Sequence, residues 1–359
     1  MEGKKLTFSI VEPNSIVIPT YEENTNTKTY VMWGPDNAFP QFVNMLYSES
    51  ATVRAVIDGS ALYICGNGIA INEGAAKFTD KVNRQGQTMN DICEQLATDL
   101  MKLNGFAIQV IYDKLGTVAE LYALDMTRIR ISSDGKKVYY AKKWGQYTGR
   151  YKEYGVFDRD NIDPSNPTQI YYYKGGARTV YPRPVWEGAF RDILAEINAS
   201  KYVLNSMANG LAAKTIITLP NVSGLLTDDD KAEVEKAIKT KFTGPDADSS
   251  FFLYWKDTET AEIKVDAIKQ EDESNKFINL KKAARENIFT AFRCSPNIFG
   301  LANDNSGVFS KDSYKDAFEL YNKTQIKPRQ KKIERAFNTI LGSDDTIKFL
   351  PFDIDNNEE

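Results

Sequence analysis

Apolar positions recur every three or four residues in some stretches and every second residue in others, so the chain reads as a mixture of helices and strands. Residues 1–40 carry short strand and loop patterns, ending in Trp33-Gly-Pro-Asp-Asn-Ala-Phe-Pro40, whose Pro35-Asp36-Asn37 is turn chemistry. Helical patterns follow to about Ser48 and from about Ala51 to Cys65, where Gly66-Asn67-Gly68 ends the second. Thr88 is placed to cap a helix with Ile92, Leu96, Leu100 and Leu103 along one face, closed by Asn104-Gly105. From Phe106 the period becomes two. Residues 106–124 alternate about a Lys-Leu-Gly turn as a hairpin does, strands continue through 128–144 around Asp134-Gly135, and 161–182 reads as loop, strand, loop.

At Pro184 the texture changes. Pro184 suits a first helical turn, and Trp186, Phe190, Ile193, Ile197 and Leu204 form one stripe that ends near Asn209-Gly210. A strand at 214–220 follows. Thr227 then caps a helix bearing Val234, Ile238 and Phe242, with Asp228, Asp229 and Asp230 in the first turn, where the helix dipole favours them. Strands at 249–255 and 261–268 lie on either side of a short charged turn. A strong helix comes next, with Phe277, Leu280, Ala284, Ile288, Ala291 and Phe292 on one face, and Pro296 stops it. A polar loop spans 297–309. Ser310 can cap a last helix carrying Tyr314, Phe318 and Tyr321; Pro328 predicts a kink or restart in it, and Ile333, Phe337 and Ile340 resume the stripe. The expected architecture is α+β: an N-terminal α+β half, then a small β-α-β-β module at about 211–270 carried on a stalk of two long helices, then a loop and a kinked helix.

With 359 residues the chain is long enough for two or three domains, and 42% hydrophobic and 26% charged residues place it among globular proteins. No apolar run approaches the ~20 residues a membrane helix needs, and the N-terminus shows no secretory apolar region, so no membrane association is expected. Cys65, Cys93 and Cys294 make no CxxC pair and read as buried thiols of a reducing compartment. There is no histidine, which removes every His-dependent triad, proton shuttle and HExxH zinc site. No GxxxxGK[ST] phosphate loop occurs either, so no cofactor, metal or enzymatic activity is expected. The net charge of −4 conceals blocks: 221–273 holds 14 acidic and 7 basic residues, 274–341 holds 6 and 13, and 342–359 holds 6 and one.

Several motifs have ordinary structural explanations. Gly66-Asn67-Gly68 follows a helix rather than a strand and lacks the third glycine of a dinucleotide fingerprint, so a helix-ending turn accounts for it. Helix capping accounts for Asp228-Asp229-Asp230 better than cation binding does. Tyr171-Tyr172-Tyr173 fits a half-buried strand better than a base-stacking platform. Asp353, Asp355, Glu358 and Glu359 suit a disordered acidic end. The basic block is open to two readings. Lys281, Lys282, Arg285, Arg293, Lys327, Arg329, Lys331, Lys332 and Arg335 flank the loop, as solvated faces or as a surface for a nucleic-acid backbone or for an acidic patch of a neighbouring copy. A carboxylate or metal-dependent nucleic-acid enzyme, and another ring or adaptor component of a phage-like particle, are the alternatives.

Taken in order, the motifs resemble the portal proteins of tailed bacteriophages, the head-to-tail connectors, of the kind carried by Bacteroidetes phages and prophages. The resemblance rests on Trp33-Gly34, Asp36-Asn37 and Pro40, then on Gly66 and Gly68, on Leu103, Gly105, Ala107 and Ile111, and on the helix from Pro184 to Asn209-Gly210. Its most specific part is Ile288, Ala291-Phe292, Pro296 and Gly300, continuing with Phe318, Ile326, Pro328, Ile333-Glu334 and Asn338. It covers about residues 30–341. Where the family usually reads Ser-Pro this chain has Arg183-Pro184, and a common upstream histidine is absent.

The resemblance implies a wing at 1–183, stem helices at 184–209 and 274–296, a clip at 210–273, a tunnel loop at 297–309, a kinked wing or crown helix at 310–341 and an acidic C-terminal tail at 342–359. It further implies a homo-oligomeric ring, usually a dodecamer, at one capsid vertex of the virion, assembled in the bacterial host cytoplasm. Double-stranded DNA would be packaged and ejected through its bore, touched without sequence preference by Asn303, Asp304, Asn305, Ser306 and Gly307. The basic faces of Lys281, Lys282, Arg285, Arg293, Lys327 and Arg329 would meet DNA or a neighbouring subunit. Asp246, Asp248 and Asp257 of the acidic clip would dock the terminase large subunit or the head-completion and adaptor proteins, and capsid protein would surround the ring.

Overall fold

The structure is a computed structural model and describes residues 18–19, 21–24, 29–144, 150–209, 215–222, 226–242, 251–258, 262–267, 273–300 and 311–352. In chain order the elements are β1 (Glu23–Asn24), β2 (Met32–Trp33), α1 (Phe39–Glu49), α2 (Ala51–Cys65), β3 (Ile69–Ile71), α3 (Met89–Leu103), β4 (Phe106–Tyr112), β5 (Val118–Leu124), β6 (Ile129–Ile131), β7 (Lys137–Ala141), β8 (Tyr151–Val156) and β9 (Thr168–Tyr173). They continue with α4 (Phe190–Asn209), β10 (Thr215–Val222), α5 (Asp228–Phe242), β11 (Phe251–Thr258), β12 (Lys264–Ala267), α6 (Glu273–Phe292), α7 (Lys311–Tyr321), α8 (Lys327–Leu341) and β13 (Ile347–Phe349). The chain forms two compact units, one from Met1–Met45, Ser60–Pro184 and Gln325–Glu359, the other from Leu46–Gly59 and Val185–Thr324.

The first unit is organised by a six-stranded sheet in the order β5-β4-β9-β8-β7-β6, antiparallel except where β8 runs parallel to β9. α3 packs on β4 and β5 and against α8. Thr88 makes the expected cap: its hydroxyl accepts from the Asp91 amide while Asp91 accepts from the Thr88 amide at 2.7 Å. Burial of Ile92, Leu96, Ala97 and Leu100 on the face below then holds the helix in place. β8 gives no apolar alternation, because its side chains are exposed or half-buried although it sits inside the sheet. Its place is decided by backbone pairing with β7 and β9, which sequence pattern does not report.

The Trp33-Gly-Pro-Asp-Asn37 turn is the most densely bonded corner of this unit. Trp33 is fully buried and stacks on Tyr181 at 4.5 Å and 6°. Asn37 adopts a left-handed conformation (φ 59°), and its Oδ1 accepts from the Trp33 amide at 3.0 Å and from Arg130 Nε. The Arg130 guanidinium is completely buried. It donates to the carbonyls of Asn37 (2.6 Å), Ile129 (2.6 Å) and Thr127 (3.2 Å), and lies over the rings of Trp33 and Trp144. Burial pulls its pKa down to about 10. The cation thus serves as a fan of donors for the carbonyls of Asn37, Thr127 and Ile129.

The acidic C-terminal stretch enters this unit too. β13 pairs antiparallel with β3 and buries Ile347 and Phe349, so the run of charge after 341 conceals a strand. α2 ends at Gly66 (φ 57°), where a Cβ would stand 2.3 Å from the Leu350 carbonyl oxygen; Gly66-Asn67-Gly68 is therefore a helix-ending turn fitted to that returning chain.

In the second unit β10, α5 and β11 make a β-α-β crossover. β10 and β11 pair in parallel, and β12 adds antiparallel on the other side of β10, giving the order β11-β10-β12. The two strands at 249–255 and 261–268 are therefore not each other's neighbours. The helix between β10 and β11 supplies the long connection that parallel pairing requires. Between α7 and α8 the helix widens into a π-helical segment at Asn322–Ile326, the local form taken by the break expected at Pro328. Pro328 has no amide hydrogen to offer the preceding turn. In the same segment Arg329 Nη1 donates to the Gln325 carbonyl at 2.8 Å, and the Thr324 hydroxyl to the Leu320 carbonyl at 2.8 Å.

Candidate functional site

The candidate site is built from α4, α6 and the elements on either side of residues 301–310. α4 and α6 are 20 residues each, about 30 Å long, and pack against one another. Three cross-contacts run in antiparallel order. Trp186, in the turn before α4, stacks on Phe292 at 5.5 Å; Asn287 donates to Asp192 at 2.8 Å; Tyr202 stacks on Phe277 at 4.4 Å. The apolar stripe expected on each helix, Ile193 and Ile197 on one, Ala284 and Ile288 on the other, is buried. Leu204 is the exception at 66% exposed, and Leu280 is exposed as well. The pair is tied at one point to the start of α2, where the Ser50 and Thr52 hydroxyls both donate to the Glu196 carboxylate, at 2.5 and 2.6 Å, and Lys201 meets Glu49 at 2.8 Å. The sequence gives no sign of Glu196 in this role, because its partners lie more than 140 residues away.

The β10–β12 module, inserted between α4 and α6 in the chain, is lightly buried: Leu219 and Asn221 are its buried residues among the described ones. Trp255 on β11 reaches Glu235 of α5 through its indole nitrogen at 3.1 Å. Of the acidic candidates, Asp246 and Asp248 lie outside the described residues, and Asp257 stands in β11. Asp228, Asp229 and Asp230 are exposed in the first turn of α5. Asp230 and Thr227 form the same reciprocal cap seen on α3, and the Thr227 hydroxyl and amide hold its carboxyl below the usual range.

The basic candidates separate into kinds. Lys281, Lys282 and Arg285 are half-buried on α6, so their stems cover apolar surface while part of each side chain reaches solvent. Arg293, just past α6, is exposed and left-handed (φ 56°); Lys327, Lys331 and Arg335 are exposed on α8. Arg329 differs, being only 9% exposed and donating to both the carbonyl and Oε1 of Gln325. Its charge serves the π segment first. Lys332 stands 6.0 Å over the Tyr173 ring, and burial, then Arg329, lower its pKa. The polar candidates Asn303, Asp304, Asn305, Ser306 and Gly307 lie outside the described residues, but the elements that lead into and out of their segment are defined: the 3-10 turn Pro296–Phe299, closed by Gly300, and α7.

No group of three or more Cys, Asp or Glu side chains among the described residues could hold a metal ion. Burial pushes Cys65 and Cys294 up to about 12 and raises Cys93 well above the ordinary thiol value, away from nucleophilic thiolate character. No helix among the described residues is long and apolar enough to cross a membrane.

Comparison with curated proteins finds no match. Among solved structures the chain is similar to a chain of the virion of a native gene transfer agent particle, at 15% identity and TM-score 0.56, covering 94% of this chain and 87% of that one. It is similar to a chain from the neck of the native particle, treated with C12 symmetry, at 15% identity and TM-score 0.57, covering 92% and 88%. It is also similar to an HK97 family phage portal protein from Corynebacterium diphtheriae, at 14% identity and TM-score 0.51, covering 86% and 94%. At these identities the likeness speaks to the fold. The family model described as Phage portal protein matches residues 66–357, the stretch from the end of α2 through β13. The chain therefore belongs to the phage portal protein family.

Proposed function

We propose that this protein is the subunit of a portal ring, a structural conduit through which double-stranded DNA enters and leaves a phage-like particle. The observation that carries the reading is the pairing of two 30 Å helices around an inserted α/β module, inside a chain whose family match spans most of its length. In this reading α4 and α6 are the stem, the β10–β12 module is the clip, residues 297–309 are the tunnel loop, and the six-stranded unit with α8 is the wing. Copies associate head to tail by one repeated rotation, which closes a ring. Twelve is the expected number, in keeping with the C12 treatment of the neck of the similar particle.

A conduit must let a polyanion slide. Base readout would halt translocation, so contact with DNA is to phosphate and without sequence preference. The stretch Asn303–Gly307 is small, polar and carries one charge, Asp304, with no lysine to anchor a strand. The exposed basic groups Arg293, Lys327, Lys331 and Arg335 face DNA or the neighbouring subunit, and the acidic clip docks the packaging terminase and the head-completion proteins. The ATP hydrolysis that drives packaging belongs to a separate motor. The assembled ring sits in the virion, at one capsid vertex, after assembly in the host cytoplasm.

End-on electron microscopy of the purified protein, with native mass, tests this. Annular particles of about a dozen copies are expected from closure of a head-to-tail interface; a protein that remains a small globular species with DNA, terminase and capsid protein all present contradicts the reading.

A further inference from the structure

Residues 301–310 lie between two defined elements, and both converge on one aromatic side chain. Phe299, at the end of the 3-10 turn, lies 6.2 Å from Phe289 of α6 at 30° and 6.2 Å from Tyr321 of α7 at 78°. Phe289 and Tyr321 are themselves buried. Beneath the ring is α2: a Cβ placed on Gly59 would stand 2.8 Å from both Cδ1 and Cε1 of Phe299, closer than real Cβ atoms approach. Gly59 is a mid-helix glycine with ordinary helical backbone, a position where alanine is the better helix former. Its conformation does not call for glycine, but the space above it does. The ring is thus seated in a notch on α2, with an α6 ring and an α7 ring beside it. Immediately after it Gly300 turns the chain at φ 76°.

We infer that Phe299, seated on Gly59 and flanked by Phe289 and by Tyr321 at the far end of α7, is a positioning residue: it fixes the point from which the chain leaves the 3-10 turn toward residues 301–310. That it matters for DNA passage rests on the reading of this segment as the tunnel loop. In that reading a segment that meets a moving polyanion needs a fixed point of departure. The aromatic seat supplies a fixed starting point without adding charge near the strand.

The test compares the assembled wild type with Gly59→Ala, Phe299→Leu and the double variant. Hydrogen exchange is read on the peptide covering 286–300. Gly59→Ala pushes the ring out of its notch and speeds exchange there by about tenfold through more frequent local opening. In the double variant the smaller leucine makes room for the added methyl, and exchange returns most of the way to wild type. Unchanged exchange in Gly59→Ala, or a double variant no slower than Gly59→Ala, overturns the proposal. If Gly59→Ala fails to assemble, Phe299→Leu alone decides, since it must speed exchange in this peptide with the assembly intact. DNA packaging is measured on the same set. Packaging that falls in Gly59→Ala and recovers in the double variant supports both the seat and the channel reading. Packaging that stays constant while exchange follows the expected order leaves the seat standing and removes the channel reading.

Discussion

α3 and α5 begin alike and are supported differently. Each is 15 residues long, each is capped by a threonine whose hydroxyl accepts from the amide of an aspartate three residues on, and each aspartate answers by accepting from the threonine amide. After the first turn they diverge. α3 buries ten of its side chains, Leu96 completely, under β4, β5 and α8. α5 has no fully buried side chain among its described residues, and Val234, which the apolar pattern placed on its inner face, is 37% exposed. The same local signal starts both helices; tertiary burial keeps only one of them in a self-sufficient core. In the proposed reading that contrast has a purpose, since a clip that must fit terminase at one stage and adaptor at another gains from being held loosely by its own chain.

The contrast can be broken most strongly at the inner faces. Leu96→Ala in α3 is expected to lower the stability of its whole unit by about 2–5 kcal/mol, through lost burial and the cavity left behind. Val234→Ala in α5 should change stability by less than about 0.5 kcal/mol, as an exposed substitution does. Urea unfolding followed by circular dichroism measures both, and equal effects would mean that α5 is covered as α3 is.

A second distinction is electrostatic. Asp99 of α3 is buried, lies 3.7 Å from Lys102 Nζ and accepts from the Met126 amide at 3.2 Å; burial raises its carboxyl to about 7, with Lys102 opposing the rise. The unfolded chain ionises near the ordinary value of about 3.9. Between roughly pH 4 and 7 the folded state therefore holds the extra proton, and stability falls as pH rises, levelling off above about 7. Asp99→Asn should remove that slope, so the difference between variant and wild type in denaturation midpoint grows across the window and is flat outside it. Asp91 and Asp230, both held below the usual range by their threonine caps, act with the opposite sign: their contribution is present above about pH 4 and is lost as pH falls through their depressed values.

Removal of the two caps is a smaller change than the core truncation, and it discriminates best. Thr88→Ala and Thr227→Ala each remove one cap bond worth about 1 kcal/mol. In α3 the loss should appear in global unfolding, because the helix melts with its core. In α5 it should appear as faster hydrogen exchange confined to 226–242, with the global midpoint almost unmoved. A global shift from Thr227→Ala would tie the module firmly to the rest of the chain.

Much of this fold was legible in the sequence where neighbours along the chain decide the structure. The caps at Thr88 and Thr227, the β4–β5 hairpin, the helix-ending turn at Gly66 and the stripes of α4 and α6 all rest on local spacing, and so did the ordered motifs that resemble the portal family. Of the candidate site, the stretches leading to 301–310 could be bounded by Pro296 and by the following helical pattern. The seat beneath Phe299 could not, since Gly59 lies 240 positions earlier and a helical glycine carries no mark of what rests on it. Nor could the role of Arg329, which sits in a basic run; only the fold shows it nearly buried and bonded to the carbonyl and side chain of Gln325.

By itself, then, the sequence determined where helices start, where turns fall and which chemistries are excluded, because histidine content, caps and apolar period are local or compositional properties. Tertiary structure alone decided that β10 separates β11 from β12, that β8 belongs inside its sheet, that Ile347 and Phe349 pair with β3 within an acidic stretch, and that a buried Arg130 ties up the Trp33 corner. These depend on backbone hydrogen bonds and close approaches between residues far apart in the chain. Such partners leave no periodic trace along it, because a carbonyl or an amide looks the same at every residue until the fold determines what stands opposite.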